Sequence, residues 1–188
     1  AYAQRRRAVD AWNAANHTVR RGLALTPVKF GISFNATLFN QAGALVNVYT
    51  DGTVLLNHGG TEMGQGLHTK VAQVVASEFG LPMSAIRVTT TDTSKVPNTS
   101  ATAASSGSDL NGKAAQAAAQ SIRARLVEWA CRTDGVRVDD VYFADGQVQI
   151  GTRRIAFGDF VRQAYAARIS LSSTGYYRTP GIHWNRET

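Results

Sequence analysis

A glycine-rich loop between a strand pattern and a helix pattern places the strongest constraint on the fold. The loop covers residues 59–66 (GGTEMGQG) and follows an apolar run at residues 54–56. After the loop, apolar residues recur at spacings of three and four, which predicts a one-faced helix over residues 67–79. Glycines permit close backbone approach and a helix start offers unpaired N–H groups, so this unit can hold an anion or a flat polar cofactor. The spacing matches neither G-x-G-x-x-G nor a P-loop, and a plain tight turn is therefore the alternative.

A second loop, rich in small polar residues, lies between residues 92 and 108. Its composition is also that of a flexible linker. Ser108 or Asp109 is a good N-cap for a long alanine-rich helix over residues 110–131, so this loop enters a second helix start. Two such loops that converge would surround one polar ligand with N–H and O–H donors.

The remaining patterns predict an α+β fold, with a mixed sheet and β-hairpins packed against helices. Asp51-Gly52 and Asp145-Gly146 lie between apolar runs and predict two hairpins. Strict alternation between residues 22 and 38 predicts a half-buried strand, in which Phe34 is a core residue. We expect three parts: a leading helix over residues 1–16, a loop-bearing α/β core over 22–131, and a hairpin, helix and terminal strand over 132–188.

Composition excludes several kinds of site. The single cysteine, Cys131, excludes an internal disulfide framework, a cysteine-ligated iron–sulfur cluster and a multi-cysteine zinc site within this chain, and favours a reducing compartment. The chain has neither an apolar run long enough for a membrane span nor a signal peptide, so a soluble, cytoplasmic protein is expected. The net charge of +7 comes without a nucleic-acid-binding signature, which favours a solvated face or a docking surface over nucleic acid. The first residue is not methionine, so the chain is expected to be a piece of a larger protein.

No catalytic set emerges from the titratable residues. The four histidines (His17, His58, His68 and His183) lack metal-ligand spacing. We expect a hydrogen-bonded structural role for His68. Glu62, the only acid in the glycine loop, is expected to bond backbone N–H groups rather than to act as a base. The serines of the second loop have no evident histidine partner, which sets nucleophilic catalysis aside.

Several long motifs in collinear order resemble the molybdopterin-binding subunits of the xanthine dehydrogenase family, which also contains the xanthine and aldehyde oxidases. They are residues 29–34 (KFGISF), 40–45 (NQAGAL), 59–70 (GGTEMGQGLHTK), 97–100 (PNTS), 102–105 (TAAS), 109–112 (DLNG) and 174–180 (TGYYRTP). The likeness extends from about residue 21 to residue 180 and is weaker between 131 and 168.

The resemblance implies a molybdenum–molybdopterin cofactor held by the two loops. The implied cofactor-binding residues are Met63, Gly64, Gln65, Ala103, Ala104, Ser105, Ser106 and Gly107. Gln65 would lie close to the metal as the catalytic residue of this chain, and no protein side chain is expected to ligate molybdenum directly. Phe34 would be one of two phenylalanines that sandwich a flat purine, with Ala103 and Ala104 lining the pocket beside the metal.

The resemblance also implies a reaction and partners. The whole enzyme would hydroxylate hypoxanthine to xanthine and xanthine to urate, and would pass electrons to 2Fe-2S clusters and FAD on other domains or subunits of an oligomeric enzyme. The family's catalytic glutamate, substrate-anchoring arginine and second phenylalanine lie outside this chain, so the chain alone is expected to be inactive. Asn35 and Phe39 depart from the usual threonine and leucine beside the substrate. An aldehyde oxidase, or another aromatic hydroxylase, is therefore the alternative within the family, and a non-catalytic basic binding module is the alternative outside it.

Overall fold

The computed structural model describes residues 1–29 and 31–188, which divide into two units, Ala1–Gly31 and Ile32–Thr188. In the first unit, helix α1 covers Tyr2–Ala15, in agreement with the predicted leading helix. The Asn13 side chain holds the segment that follows, because its Oδ1 accepts the Arg21 N–H at 2.8 Å and its Nδ2 donates to the Arg21 carbonyl at 2.9 Å. The Arg21 guanidinium also lies 4.1 Å from the centre of the Trp12 ring. These contacts stabilise the turn after α1 by hydrogen bonding and a cation–π interaction.

The second unit contains two sheets and three helices. Its elements are β1 (Gln41–Val48), β2 (Val54–His58), α2 (Leu67–Phe79), β3 (Ile86–Val88), α3 (Gly107–Asp134), β4 (Val141–Ala144), β5 (Gln147–Ile150), β6 (Arg153–Ala156), α4 (Phe157–Ala166) and β7 (Ser172–Arg178), with short 3-10 helices at Thr37–Phe39, Met83–Ala85 and Val138–Asp140. The larger sheet has the order β3-β2-β1-β7 and is mixed, because β2 pairs parallel with β3 and the other pairs are antiparallel. The smaller sheet, β4-β5-β6, is antiparallel. The structure confirms the α+β prediction.

Helices α2 and α3 supply the main core against the larger sheet. The apolar face of α2 is buried at Leu67, Val71, Val75 and Phe79, as its spacing predicts. Helix α3 comes so close to β7 that a Cβ added to Gly175 would lie 2.0 Å from the Ala114 carbonyl oxygen and 2.5 Å from the Ala118 nitrogen. Alanines on the helix and a glycine on the strand are therefore the residues that this approach permits.

The smaller sheet follows from the second predicted hairpin. Asp145 and Gly146 both have positive φ, 53° and 72°, as a two-residue type I′ turn between β4 and β5 requires. The third strand, β6, has no alternating signal of its own and is absent from the sequence prediction. It leads directly into α4, which buries Phe157 and Phe160. In the described part of the chain, no helix is both long enough and apolar enough to cross a membrane.

Two sequence predictions about secondary structure are wrong. The predicted strand between residues 22 and 38 is absent from residues 22–29 and 31–38, while Phe30 lies outside the described residues. The physical reason is local: the buried Asn40 side chain bonds the backbone of Phe34, and the chain turns into a 3-10 helix instead of remaining extended. Helix α3 begins three residues earlier than predicted, with Ser106 as N-cap, so that Ser108 and Asp109 lie in its first turn.

Candidate cofactor-binding site

The glycine loop (residues 59–66) and the second loop, which ends at residue 106 because α3 begins at Gly107, lie in direct contact. The Thr61 N–H donates to the Thr102 hydroxyl at 2.9 Å. A Cβ added to Gly59 would lie between 2.0 and 2.6 Å from three side-chain atoms of Thr99. These distances require glycine at residue 59, because any side chain there would displace the second loop. The predicted convergence of the two loops is confirmed.

The carboxylate of Glu62 organises the glycine loop. Its Oε1 accepts the N–H groups of Gly64 at 2.9 Å and Gly66 at 3.0 Å, and its Oε2 accepts the His68 N–H at 3.1 Å. These hydrogen bonds hold the pKa of Glu62 below its usual value, and the bond from the His68 N–H has the largest effect, followed by that from Gly66. The expected structural role of Glu62 is therefore confirmed. The expectation that the start of α2 offers unpaired N–H groups is wrong at His68, whose N–H is taken by this carboxylate.

The side-chain amide of Gln65 braces the same loop. Its Oε1 accepts the Met63 N–H at 2.6 Å, and its Nε2 donates to the Thr61 carbonyl at 2.8 Å. The outer side of the loop is open, since a Cβ added to Gly64 would meet no described atom within 4 Å and Met63 is 66% exposed. A ligand that approaches this side would meet Met63, Gly64 and Gln65 first.

The second loop leads into a helix start that no side chain caps within the described residues. The Ser106 hydroxyl donates to the Ala103 carbonyl at 2.9 Å instead of capping α3. Ala104 and Ser105 have positive φ, 53° and 54°, which turns the backbone just before the helix. A 28-residue helix presents partial positive charge at this end, and its first-turn N–H groups are donors for an anion. Asp109 places one carboxylate in this first turn, but unlike Glu62 at α2 it bonds no first-turn N–H group in the described structure, so more donors face an anion at α3 than at α2.

Two histidines hold the peptide of Gly60 at the base of the glycine loop. His58 is only 3% exposed, and its Nδ1 accepts the Gly60 N–H at 3.1 Å, which requires an unprotonated Nδ1. Burial lowers the pKa of His58 to about 4, and the nearby His68 makes a smaller contribution in the same direction. The His68 Nε2 lies 3.4 Å from the Gly60 carbonyl oxygen, and this contact confirms its expected hydrogen-bonded role. Sequence reasoning missed His58, although its place directly before Gly59-Gly60 at a strand end is a usable signal.

The segment that carries the predicted substrate residues lies against the second loop. The Ser33 N–H donates to the Ala104 carbonyl at 3.1 Å. Next in the chain, Phe34 is half-buried, and its ring centre lies 5.5 Å from that of Phe39. Asn35 is exposed, and its Oδ1 accepts the Ala36 N–H at 2.9 Å. The structure thus brings the Ser33 end of this segment next to Ala104 of the second loop, which in turn touches the glycine loop.

Xanthine dehydrogenases are among the curated proteins that this chain resembles in sequence. The chicken (Gallus gallus) xanthine dehydrogenase/oxidase is 44% identical over 187 residues, which cover 100% of this chain and 12% of the relative. The rice (Oryza sativa subsp. japonica) xanthine dehydrogenase is 48% identical over 185 residues, 97% of this chain and 12% of the relative. The chain therefore spans about an eighth of the length of these curated relatives.

Solved structures share the fold. A Cu,Mo-CO dehydrogenase superposes with a TM-score of 0.66 at 22% identity, over 76% of this chain and 19% of that chain. Quinoline 2-oxidoreductase from Pseudomonas putida 86 superposes with a TM-score of 0.65 at 22% identity, over 74% and 19%. The family model of the molybdopterin cofactor-binding domain matches residues 1–188. The chain belongs to the molybdopterin cofactor-binding domain family.

Proposed function

We propose that this chain is part of the molybdenum domain of a xanthine dehydrogenase and that its two loops hold the molybdopterin cofactor. The observation that carries the proposal is the direct contact of the two loops beside the uncapped start of α3. The identity of 44–48% to xanthine dehydrogenases over nearly the whole chain supports the choice of enzyme within the family. The parent enzyme, meaning the complete protein of which this chain is a part, would hydroxylate hypoxanthine to xanthine and xanthine to urate.

The residues present fit a flat, polar, anionic cofactor. At the end of the second loop and the start of α3, Ala103, Ala104, Ser105, Ser106 and Gly107 would contact it. The exposed Ser105 hydroxyl and the backbone N–H groups of Ala104, Ser105 and Gly107 would be the donors, because the N–H groups of Ala103 and Ser106 already donate to the carbonyls of Ala101 and Ala103. A phosphate at the start of α3 would gain about 1 kcal/mol from the helix dipole, in addition to its hydrogen bonds. In the glycine loop, Met63, Gly64 and Gln65 would contact the cofactor from the open side. When bound, the molybdenum cofactor supplies the redox centre at which the substrate is oxidised.

The chain's own residues would mainly position the cofactor and the substrate. Gln65 would lie near the metal, and its amide would exchange the Met63 and Thr61 bonds for bonds to the cofactor. Ala103 and Ala104 are small and would leave room for the substrate beside the metal. Phe34 would present its ring face to a flat heterocycle, with Asn35 and Phe39 along the edge of the substrate space. These roles are positioning and electrostatic, and the bond chemistry belongs to the cofactor.

The rest of the parent enzyme is part of the same proposal. It would contribute the remainder of the molybdenum domain and the 2Fe-2S and FAD domains or subunits, within an oligomer. A cytoplasmic location is supported by the single cysteine of the chain, Cys131, which is free. Asn35 and Phe39 are the specific observation that favours a second candidate, an aldehyde oxidase or other aromatic hydroxylase, because both would flank the substrate space and both depart from the usual threonine and leucine.

One experiment separates these activities. The parent enzyme is purified, its molybdenum content is measured, and turnover is assayed with xanthine and with an aromatic aldehyde. We expect about one molybdenum per molybdenum domain and turnover of xanthine. Turnover of the aldehyde alone would replace the purine assignment with the second candidate. A parent protein without molybdenum that binds duplex DNA in a salt-sensitive manner would refute the proposal altogether.

A further inference from the structure

Phe34 and Phe39 belong to a short segment whose backbone is fixed at several points. We call residues 33–40 the aromatic turn. At one end, the Ser33 N–H donates to the Ala104 carbonyl of the second loop at 3.1 Å. At the other end, the side chain of Asn40, 2% exposed, bonds both backbone groups of Phe34: its Oδ1 accepts the N–H and its Nδ2 donates to the carbonyl, each at 2.9 Å. The backbone that carries Phe34 is therefore bound on both sides.

The Phe39 backbone is fixed in the same turn. The Phe39 N–H donates to the Ala36 carbonyl at 3.0 Å and the Asn40 N–H to the Thr37 carbonyl at 3.1 Å, which closes the 3-10 helix. From this position the Phe39 ring meets the Phe34 ring at 61°, with 5.5 Å between their centres. This edge-on geometry is one of the two arrangements that aromatic pairs prefer. It fixes one side of the Phe34 ring and leaves Phe39 42% exposed.

We infer that Phe39 is a positioning residue, which holds the Phe34 ring in one orientation so that its face is ready for a flat heteroaromatic substrate. This inference rests on the proposed function and deepens it, because it names the contact that selects flat rings. A ring that is already ordered loses little side-chain freedom when the substrate binds. Phe39 therefore acts on substrate affinity rather than on the chemical step, and only for substrates that stack on Phe34.

The test uses the parent enzyme with Phe39→Leu and Phe39→Tyr, and with Leu38→Ala as a neighbouring control. Leu38 is 66% exposed and carries no aromatic ring. We expect Phe39→Leu to raise KM for xanthine by about threefold to tenfold, the range of an aromatic pair, with kcat within about twofold. Phe39→Tyr keeps the edge-on ring and should therefore have the wild-type KM for xanthine. For a small aliphatic aldehyde, which has no ring to stack, KM should not change.

The outcomes separate this inference from the function on which it rests. An unchanged KM for xanthine in an active Phe39→Leu enzyme would overturn the inference and leave the proposed function intact. An equal rise in KM for xanthine and for the aliphatic aldehyde in Phe39→Leu would also overturn it, and so would a raised KM for xanthine in Phe39→Tyr. Either result indicates a general structural effect. Absence of xanthine turnover in the wild-type parent enzyme would refute the proposed function, and this inference with it. Thermal unfolding of each variant checks that the fold is kept.

Discussion

The substitution Gly59→Ala should separate the two loops. The added Cβ would lie 2.0 Å from the Thr99 Oγ1, 2.3 Å from its Cγ2 and 2.6 Å from its Cβ. Rotation about χ1 of Thr99 moves the first two atoms but not the Cβ. Contacts between carbon atoms are favourable at about 3.5–4.0 Å, so the Thr99 backbone must retreat by about 1 Å. A displacement of that size at a positioned site costs about a hundredfold in activity.

The partner substitution makes this prediction specific to the contact. Thr99→Gly removes all three clashing atoms, so the double variant Gly59→Ala/Thr99→Gly should recover most of the molybdenum content and xanthine turnover that Gly59→Ala loses. Gly112→Ala is the control, because its added Cβ comes no closer than 3.7 Å to Val74 and alanine favours a helix interior. Metal analysis and turnover of the parent enzyme measure the effect. If Thr99→Gly gave no recovery, the argument that these two residues set the spacing of the loops would be refuted.

Three further predictions concern stability. Glu62 has a pKa held below its usual value of 4.5, so its contribution to stability is present above pH 4.5 and is lost as the pH falls through the lower folded pKa. In Glu62→Gln, the urea midpoint of unfolding should therefore fall less steeply as the pH is lowered below 4.5. An unchanged dependence of the midpoint on pH would contradict this. Burial lowers the pKa of His58 from 6.5 to about 4, so the free energy of unfolding, measured with urea, should fall by about 3 kcal/mol as the pH is lowered from 6.5 to 4. His58→Gln should remove this dependence on pH, and an unchanged dependence in that variant would contradict the assignment. Gly175→Ala should destabilise by about 1–3 kcal/mol in urea unfolding because its Cβ meets the backbone of α3, and a neutral effect would refute that close packing.

The sequence predicted those parts of the fold whose signals are local and periodic. The buried face of α2 follows from spacings of three and four, and the Asp145-Gly146 turn from the residues that tolerate positive φ. Alternation between residues 22 and 38 was misleading because a period of two describes an extended chain but supplies no strand partner. The side chain of Asn40, which decides the conformation there, acts over six residues and leaves no periodic trace.

The site was predicted in outline and missed in its contacts. Two donor-rich loops before helix starts are visible in the composition, and their convergence follows once both lie at the same end of the packed helices. Which N–H groups remain available does not follow from the sequence, since Glu62 takes those of Gly64 and His68 while Ser106 bonds backward to Ala103. Such choices depend on three-dimensional distances between groups that are each plausible donors or acceptors.

A negative charge introduced at residue 105 tests the central claim most directly. Asparagine and aspartate are similar in size and both tolerate the positive φ of this residue, 54°, so the variants Ser105→Asn and Ser105→Asp differ in charge and in the amide donor but not in shape. A carboxylate about 5 Å from a bound phosphate would cost about 3 kcal/mol at an effective dielectric constant of about 20. We expect the parent enzyme with Ser105→Asp to lose most of its molybdenum and pterin, while Ser105→Asn retains them. Equal, full molybdenum content in both variants would contradict the placement of the cofactor at the start of α3.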